Sequence, residues 1–118
     1  MWSSMATVIS WAEEALGVRV GTYPPKDLPT DFAIVQRVGG TMSYPHDNPR
    51  YAVQLWTDSD EGGEQVIMAL ARLLPNLAAA HGRINAVDMD PEVTQLGRFD
   101  TGHFVWQLSF QLNVNIKD

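Results

Sequence analysis

Two short stretches of this sequence place acids and a base close enough to suggest chemistry. His46-Asp47 sets an imidazole beside a carboxylate, the parts of a general base and the group that orients it. Asp58 and Asp60, in DSDEGGE, occupy positions one and three of a calcium-loop pattern. Neither pattern carries through. Neighbouring residues rarely point the same way, and no nucleophile is marked near His46. The calcium pattern meets Gly62 at position five and Ala69 at position twelve, where a bidentate Glu is required. Asp58, Asp60, Glu61 and Glu64 are better read as the acidic start of a helix, where they complement the backbone dipole. Asp88 and Asp90 could share a magnesium ion, but Asp90-Pro91 is also a turn initiator, and the turn is the expected reading.

The remaining candidates are no stronger. His46, His81 and His103 show no zinc-ligand spacing and no HExxH. Gly39-Gly40 and Gly62-Gly63 belong to neither a GxGxxG nor a Gly-Lys-Ser/Thr loop. The chain has no cysteine, which removes disulfides, thiolate metal sites and a thiol nucleophile together. The expectation is therefore a non-enzyme, with no catalytic residue, cofactor or metal ligand assigned.

Around these residues, the hydrophobic pattern divides the chain into elements. Met5, Val8, Ile9, Ala12 and Leu16 fall on one side of a helix, with Ser3 or Ser4 as cap and Gly17 as stop. Trp11 lies off that stripe, as a flank of the core. Pro24, Pro25 and Pro29 mark an extended connector. DFAIVQRVGG reads as a strand stopped by Gly39-Gly40, TMSYPHDNP as a loop, and RYAVQLWT as a second strand with Tyr51, Val53 and Leu55 on one face. Val66, Ile67, Leu70, Leu73, Leu74 and Leu77 form a helical stripe that Pro75 should end or kink near Leu74. RINAVDMDPEVTQLG reads as a third strand, and RFDTG as the turn into a fourth. The expected fold is α+β: a mostly antiparallel sheet of four to five strands, with two main helices on one face, in a single domain over residues 1–118.

Composition narrows the partners. Of 118 residues, 45% are hydrophobic and 19% charged, values typical of a globular chain. The eight basic residues are scattered and the net charge is −6, which disfavours sequence-independent adhesion to nucleic acid. MWSSMATVISWAEEALG lacks a basic leader and is interrupted by Glu13-Glu14, so it is not expected to act as a secretory signal. No apolar run approaches the ~20 residues of a membrane helix, and no membrane association is expected.

The fourth strand, FVWQLSFQLNVNI, is the least ordinary feature. Phe104, Trp106, Leu108, Phe110, Leu112, Val114 and Ile116 alternate with Val105, Gln107, Ser109, Gln111, Asn113 and Asn115. The second face is polar yet carries no charge. Amides and hydroxyls can enter a desolvated contact more cheaply than charges can. At ~3.3 Å per residue the stretch also spans roughly 43 Å, which is long for so small a domain. Two readings stand open: a plain wetted face, or a sheet surface or edge where Gln107, Ser109, Gln111 and Asn113 meet another subunit.

The order LPTDFAIVQRVGG, NPRYAVQLWTDSDEGGEQVIMALARLL, DTGHFVWQLSFQLNVNI resembles the tail terminator (tail-completion, minor tail) proteins of phages with long non-contractile tails. It looks most like those of actinobacterial phages and prophages, over about Tyr23 to Ile116. Pro75 within the long helix departs from that pattern. The resemblance implies a virion structural protein that caps the tail tube, ends its polymerisation and forms the head-joining surface. It implies a ring of copies, commonly a hexamer, whose partners are the tail tube protein and a head-completion or connector protein. DNA would pass through the ring, and acidic walls would not trap it. The implied location is the virion tail, and the host cytoplasm during assembly. Another head-to-tail connector component is the alternative within this class. From a different class, a small-molecule-binding α+β domain would require a pocket lined by Trp56, Trp106 or His103.

Overall fold

The computed structural model describes residues 1–88 and 90–118. Helix α1 (Ser4–Leu16) starts where the Ser3 hydroxyl accepts from the Ala6 N–H at 3.1 Å, and stops at Gly17, whose φ of 66° suits a residue without a Cβ. Ser4, the other candidate cap, instead bonds the Tyr51 hydroxyl at 2.5 Å. Trp11 is more than a flank: it is buried in the core, edge-on to Phe110. A short strand β1 (Arg19–Gly21) leads into the proline-rich connector. Then come β2 (Phe32–Ser43), β3 (His46–Thr57), α2 (Asp60–Arg72) and α3 (Leu74–Ala78). As its sequence implies, Pro75 divides the leucine stripe: α2 ends at Arg72, and the proline sits in the first turn of α3. Strands β4 (Ile84–Val87), β5 (Glu92–Arg98) and β6 (Phe104–Asn115) complete the chain.

The six strands form one sheet in the order β1-β2-β3-β6-β4, with β5 also paired to β6. Among the described residues, only β1 and β2 run parallel; the other pairs are antiparallel. The count exceeds the expected four to five for two reasons. The three residues of β1, read from sequence as connector, find a partner in Phe32 to Ile34. The anticipated third strand is two strands, β4 and β5, set end to end along β6, and Met89 of that stretch lies outside the described residues.

Gly39-Gly40 does not stop β2. The register shifts between Arg37 and Gly39, and pairing with β3 then continues to Ser43 opposite His46. The expected loop shrinks to a turn at Tyr44-Pro45, whose peptide bond is cis. Gly40 fits because the backbones touch there: a Cβ would lie 2.1 Å from the Asn48 carbonyl oxygen, on a residue with φ of 109°.

Strand β6 is the spine of the sheet. It pairs with β3 along nearly its whole length and with β5 then β4 on its other side. It is therefore interior, which removes the reading of β6 as a free edge. Twelve residues at ~3.3 Å give about 40 Å, close to the 42 Å longest dimension of the molecule. Its length is that of the domain itself.

All three helices cover the same face. Val8, Trp11 and Ala12 of α1, Ile67 and Leu70 of α2, and Leu74 and Leu77 of α3 pack with Tyr51, Val53 and Leu55 of β3 and with Trp106 to Val114 at alternate positions of β6. The reverse face holds a smaller cluster at one end, Phe32, Ile34, Trp56 and Val105 with Phe99 against it.

Candidate functional site

The reverse face carries the uncharged row, and the structure assigns each member a partner. Gln107 is half-buried; its Oε1 accepts from Gln54 Nε2 at 3.1 Å, and its own Nε2 donates to Ser109 Oγ at 3.3 Å. Ser109 is only 6% exposed. Gln111 Nε2 donates to the Asn48 carbonyl at 3.1 Å. Asn113 Nδ2 donates to Asn48 Oδ1 at 2.7 Å, and Asn113 Oδ1 accepts from Asn85 Nδ2 at 2.9 Å. The four residues named from sequence thus lie in one file along β6, tied to strands on both sides.

Pro49 accounts for part of this. It has no N–H to give, and the β3–β6 ladder lapses between Asp47, opposite Val114, and Arg50, opposite Gln111. In that gap Gln111 and Asn113 supply side-chain hydrogen bonds to Asn48 where backbone ones are missing. Gln54, Asn48 and Asn85 belong to the row but were not singled out from sequence. Gln54 was within reach, since it alternates with Val53 and Leu55 on the strand already assigned. Asn48 and Asn85 join only through pairings distant in sequence.

The row is chemically quiet. The file of Gln54, Gln107, Ser109, Gln111 and Asn113 carries no ionisable group and can exchange hydrogen bonds without desolvating a charge of its own. Arg50, opposite Gln111, and Glu92, opposite Ser109, flank it on the same face and approach each other at 3.7 Å.

The chemical candidates are dispersed. His46 and Asp47 are consecutive on β3, so they face opposite sides. Asp47 is buried and holds Arg37 through two bonds of 2.8 and 2.9 Å, while His46 is exposed. That bond to Asp47 outweighs burial and raises the Arg37 pKa above its ordinary value. Burial raises Tyr51 as well, against the opposing pull of its bond to Ser4 and the nearby Arg37 charge.

In DSDEGGE the cap is Ser59, which accepts from the Gly62 N–H at 3.0 Å. Asp60 is taken up by Trp106 Nε1 and Gln95 Nε2, both at 2.9 Å. Gly62-Gly63 serves close approach: a Cβ on Gly63 would fall 2.8 Å from the Trp106 ring. Asp88 Oδ1 accepts from the Asp90 N–H at 3.0 Å, as a turn initiator should. Among the described residues, no three His, Asp or Glu side chains gather as a metal site would need.

Trp56 and His103 pack against each other, ring centroids 5.7 Å apart, and Trp106 lies on the opposite face of the sheet. Trp106 packs in the helix-side core and Trp56 in the reverse-face cluster. His103 is 8% exposed and bolts the connector to the sheet, with Nε2 at 2.8 Å from the Pro29 carbonyl and Nδ1 at 2.7 Å from Thr101 Oγ1. A carbonyl only accepts, so Nε2 carries the proton. Among the described residues, no helix is long and apolar enough to cross a membrane.

No protein-family model matches the chain, and no curated protein matches it. Among solved structures, the chain is similar to one from the virion of a native gene transfer agent particle. The TM-score is 0.49 and the identity 14%, over 87% of this chain and 83% of that one.

Proposed function

We propose that this protein is a phage or prophage virion component that acts by assembly, as a ring that caps the tail tube, ends its growth and receives the head. The observation that carries the reading is the helix-free sheet face with its file of neutral amides and a hydroxyl: Gln54, Gln107, Ser109, Gln111 and Asn113. Helices seal the other face, so this is the broad flat surface left for a neighbouring subunit. The order of sequence motifs shared with tail terminators gives that surface its context, and the net charge of −6 per copy would keep passing DNA from sticking. The partners in this reading are further copies, commonly six, the tail tube protein and a head-completion or connector protein. Neither catalysis nor a cofactor enters it.

The test places one charge in the file without disturbing the fold. Gln111→Glu is a poor choice, because it also removes the N–H given to Asn48. Gln107→Glu retains the acceptor that Gln54 uses, and the Ser109 hydroxyl can turn to donate. We expect an unchanged thermal midpoint and association at least tenfold weaker by sedimentation velocity. Association equal to that of the parent chain would assign this face to solvent.

A further inference from the structure

On the helix side, a groove of 860 Å³ runs between α1 and the α3–β4 connection, walled by Trp2, Ala6, Ser10, Trp11, Leu73 and His81. Two donors within it stand unmet. Trp2 Nε1 and Trp11 Nε1 are shielded from solvent and have no hydrogen-bond acceptor among the described residues, although Trp11 is only 8% exposed. A buried donor without a partner forfeits the hydrogen bond it made with water. An acceptor brought from outside would relieve that cost. The titratable groups on the lining are Glu14, His81 and the α-amino group of Met1. With charges of both signs at the wall and no cluster of either, the groove suits a neutral segment offering carbonyl oxygens.

The chain itself displays such a segment. The β2–β3 turn, Met42-Ser43-Tyr44-Pro45, is uncharged, and its Met42 and Tyr44 are 62% and 66% exposed. It cannot fold back into its own groove, because the Ile116 N–H donates to the Pro45 carbonyl at 2.8 Å and His46 pairs with Asn115. We propose that the groove receives this turn from a second copy. The exposed Met42 and Tyr44 side chains would lie against the indoles, and backbone carbonyls would accept from Trp2 and Trp11. Trp2, stacked on His81 at 5.0 Å, lies ahead of the cap Ser3, so it can swing aside without unwinding α1. With turn and groove engaging different neighbours, the contact is heterologous and repeats from copy to copy, closing into a ring where the rotation allows. This deepens, and rests on, the reading of the protein as a ring.

Two variants test it in the full chain by sedimentation velocity, alone and mixed. Ser10→Arg fills the groove from an exposed wall position, and Met42→Ser with Tyr44→Ser clears the turn. Each alone should associate at least tenfold more weakly than the parent. Mixed, they should form a pair of unlike copies and stop there, since one intact groove meets one intact turn. Parent-like assembly of either variant overturns the turn-in-groove contact and leaves the ring standing, as does a mixture that rebuilds full assemblies. A parent chain that stays monomeric overturns both. Trp11→Phe separates contact from folding: it removes the unpaired donor but also some packing against Phe110, so the monomer's thermal midpoint is read alongside assembly, which should weaken in monomer that is still folded. Assembly unaffected by Trp11→Phe overturns the assigned hydrogen bond.

Discussion

Gly63 is where α2 comes closest to the sheet. A methyl group there would meet Trp106 Cδ1 at 2.8 Å and Thr57 Cγ2 at 3.0 Å, and Trp106 is held by its bond to Asp60. Gly63→Ala should therefore cost about 1–3 kcal/mol, despite the better helix propensity of alanine; chemical denaturation would read it. Tyr51 makes the second case. Its hydroxyl is buried against Ser4, and burial raises its pKa above the ordinary value near 10. Above that pH the unfolded chain releases the proton while the folded chain still holds it, so unfolding gains ground. Stability attributable to Tyr51 should be whole below pH ~10 and fall as pH rises toward the folded pKa. Tyr51→Phe should flatten that alkaline limb of the thermal midpoint against pH.

Among the elements, the outer half of β2 is held by its ladder to β3 and one ion pair, with no buried side chain of its own. From Gln36 to Ser43 every residue is exposed, and β1 covers only Phe32 to Ile34. The ion pair is Arg37–Asp47, with side chains 36% and 9% exposed. Removing one partner of a buried pair costs ~3–5 kcal/mol, and an exposed pair contributes little. With Arg37 this open to solvent, Arg37→Ala should cost about 2 kcal/mol. It should also speed amide exchange across residues 36–47 more than elsewhere. The same element shows what the sequence hides. Two glycines look like punctuation until the partner strand is known; here Gly40 admits the Asn48 backbone and the strand runs on. Likewise β1 needs Phe32 to Ile34 beside it to become a strand at all. By contrast, α1, the break at Pro75 and the alternation of β6 depend on neighbours in sequence, and those were legible. So was the amide file on β6. Its cross-strand partners, and the unpaired indoles of Trp2 and Trp11, follow from tertiary burial that no local pattern encodes.

At the scale of the whole molecule, the layers explain the division of labour. One face of the sheet is sealed by three helices around a continuous core, and the other presents neutral polar groups beside a small aromatic cluster. His46 and Asp47 face apart, and Asp60 is spent on Trp106 and Gln95. What the surface offers instead is a sheet face with a file of neutral polar groups, a groove with unmet donors and an exposed turn. Under the proposed function these are the surfaces through which copies would meet. Native mass spectrometry of the purified chain tests this most directly. The account predicts a discrete closed species at a whole-number multiple of the 13.1 kDa chain, six copies being the expected number. A single 13.1 kDa species at every attainable concentration would contradict it.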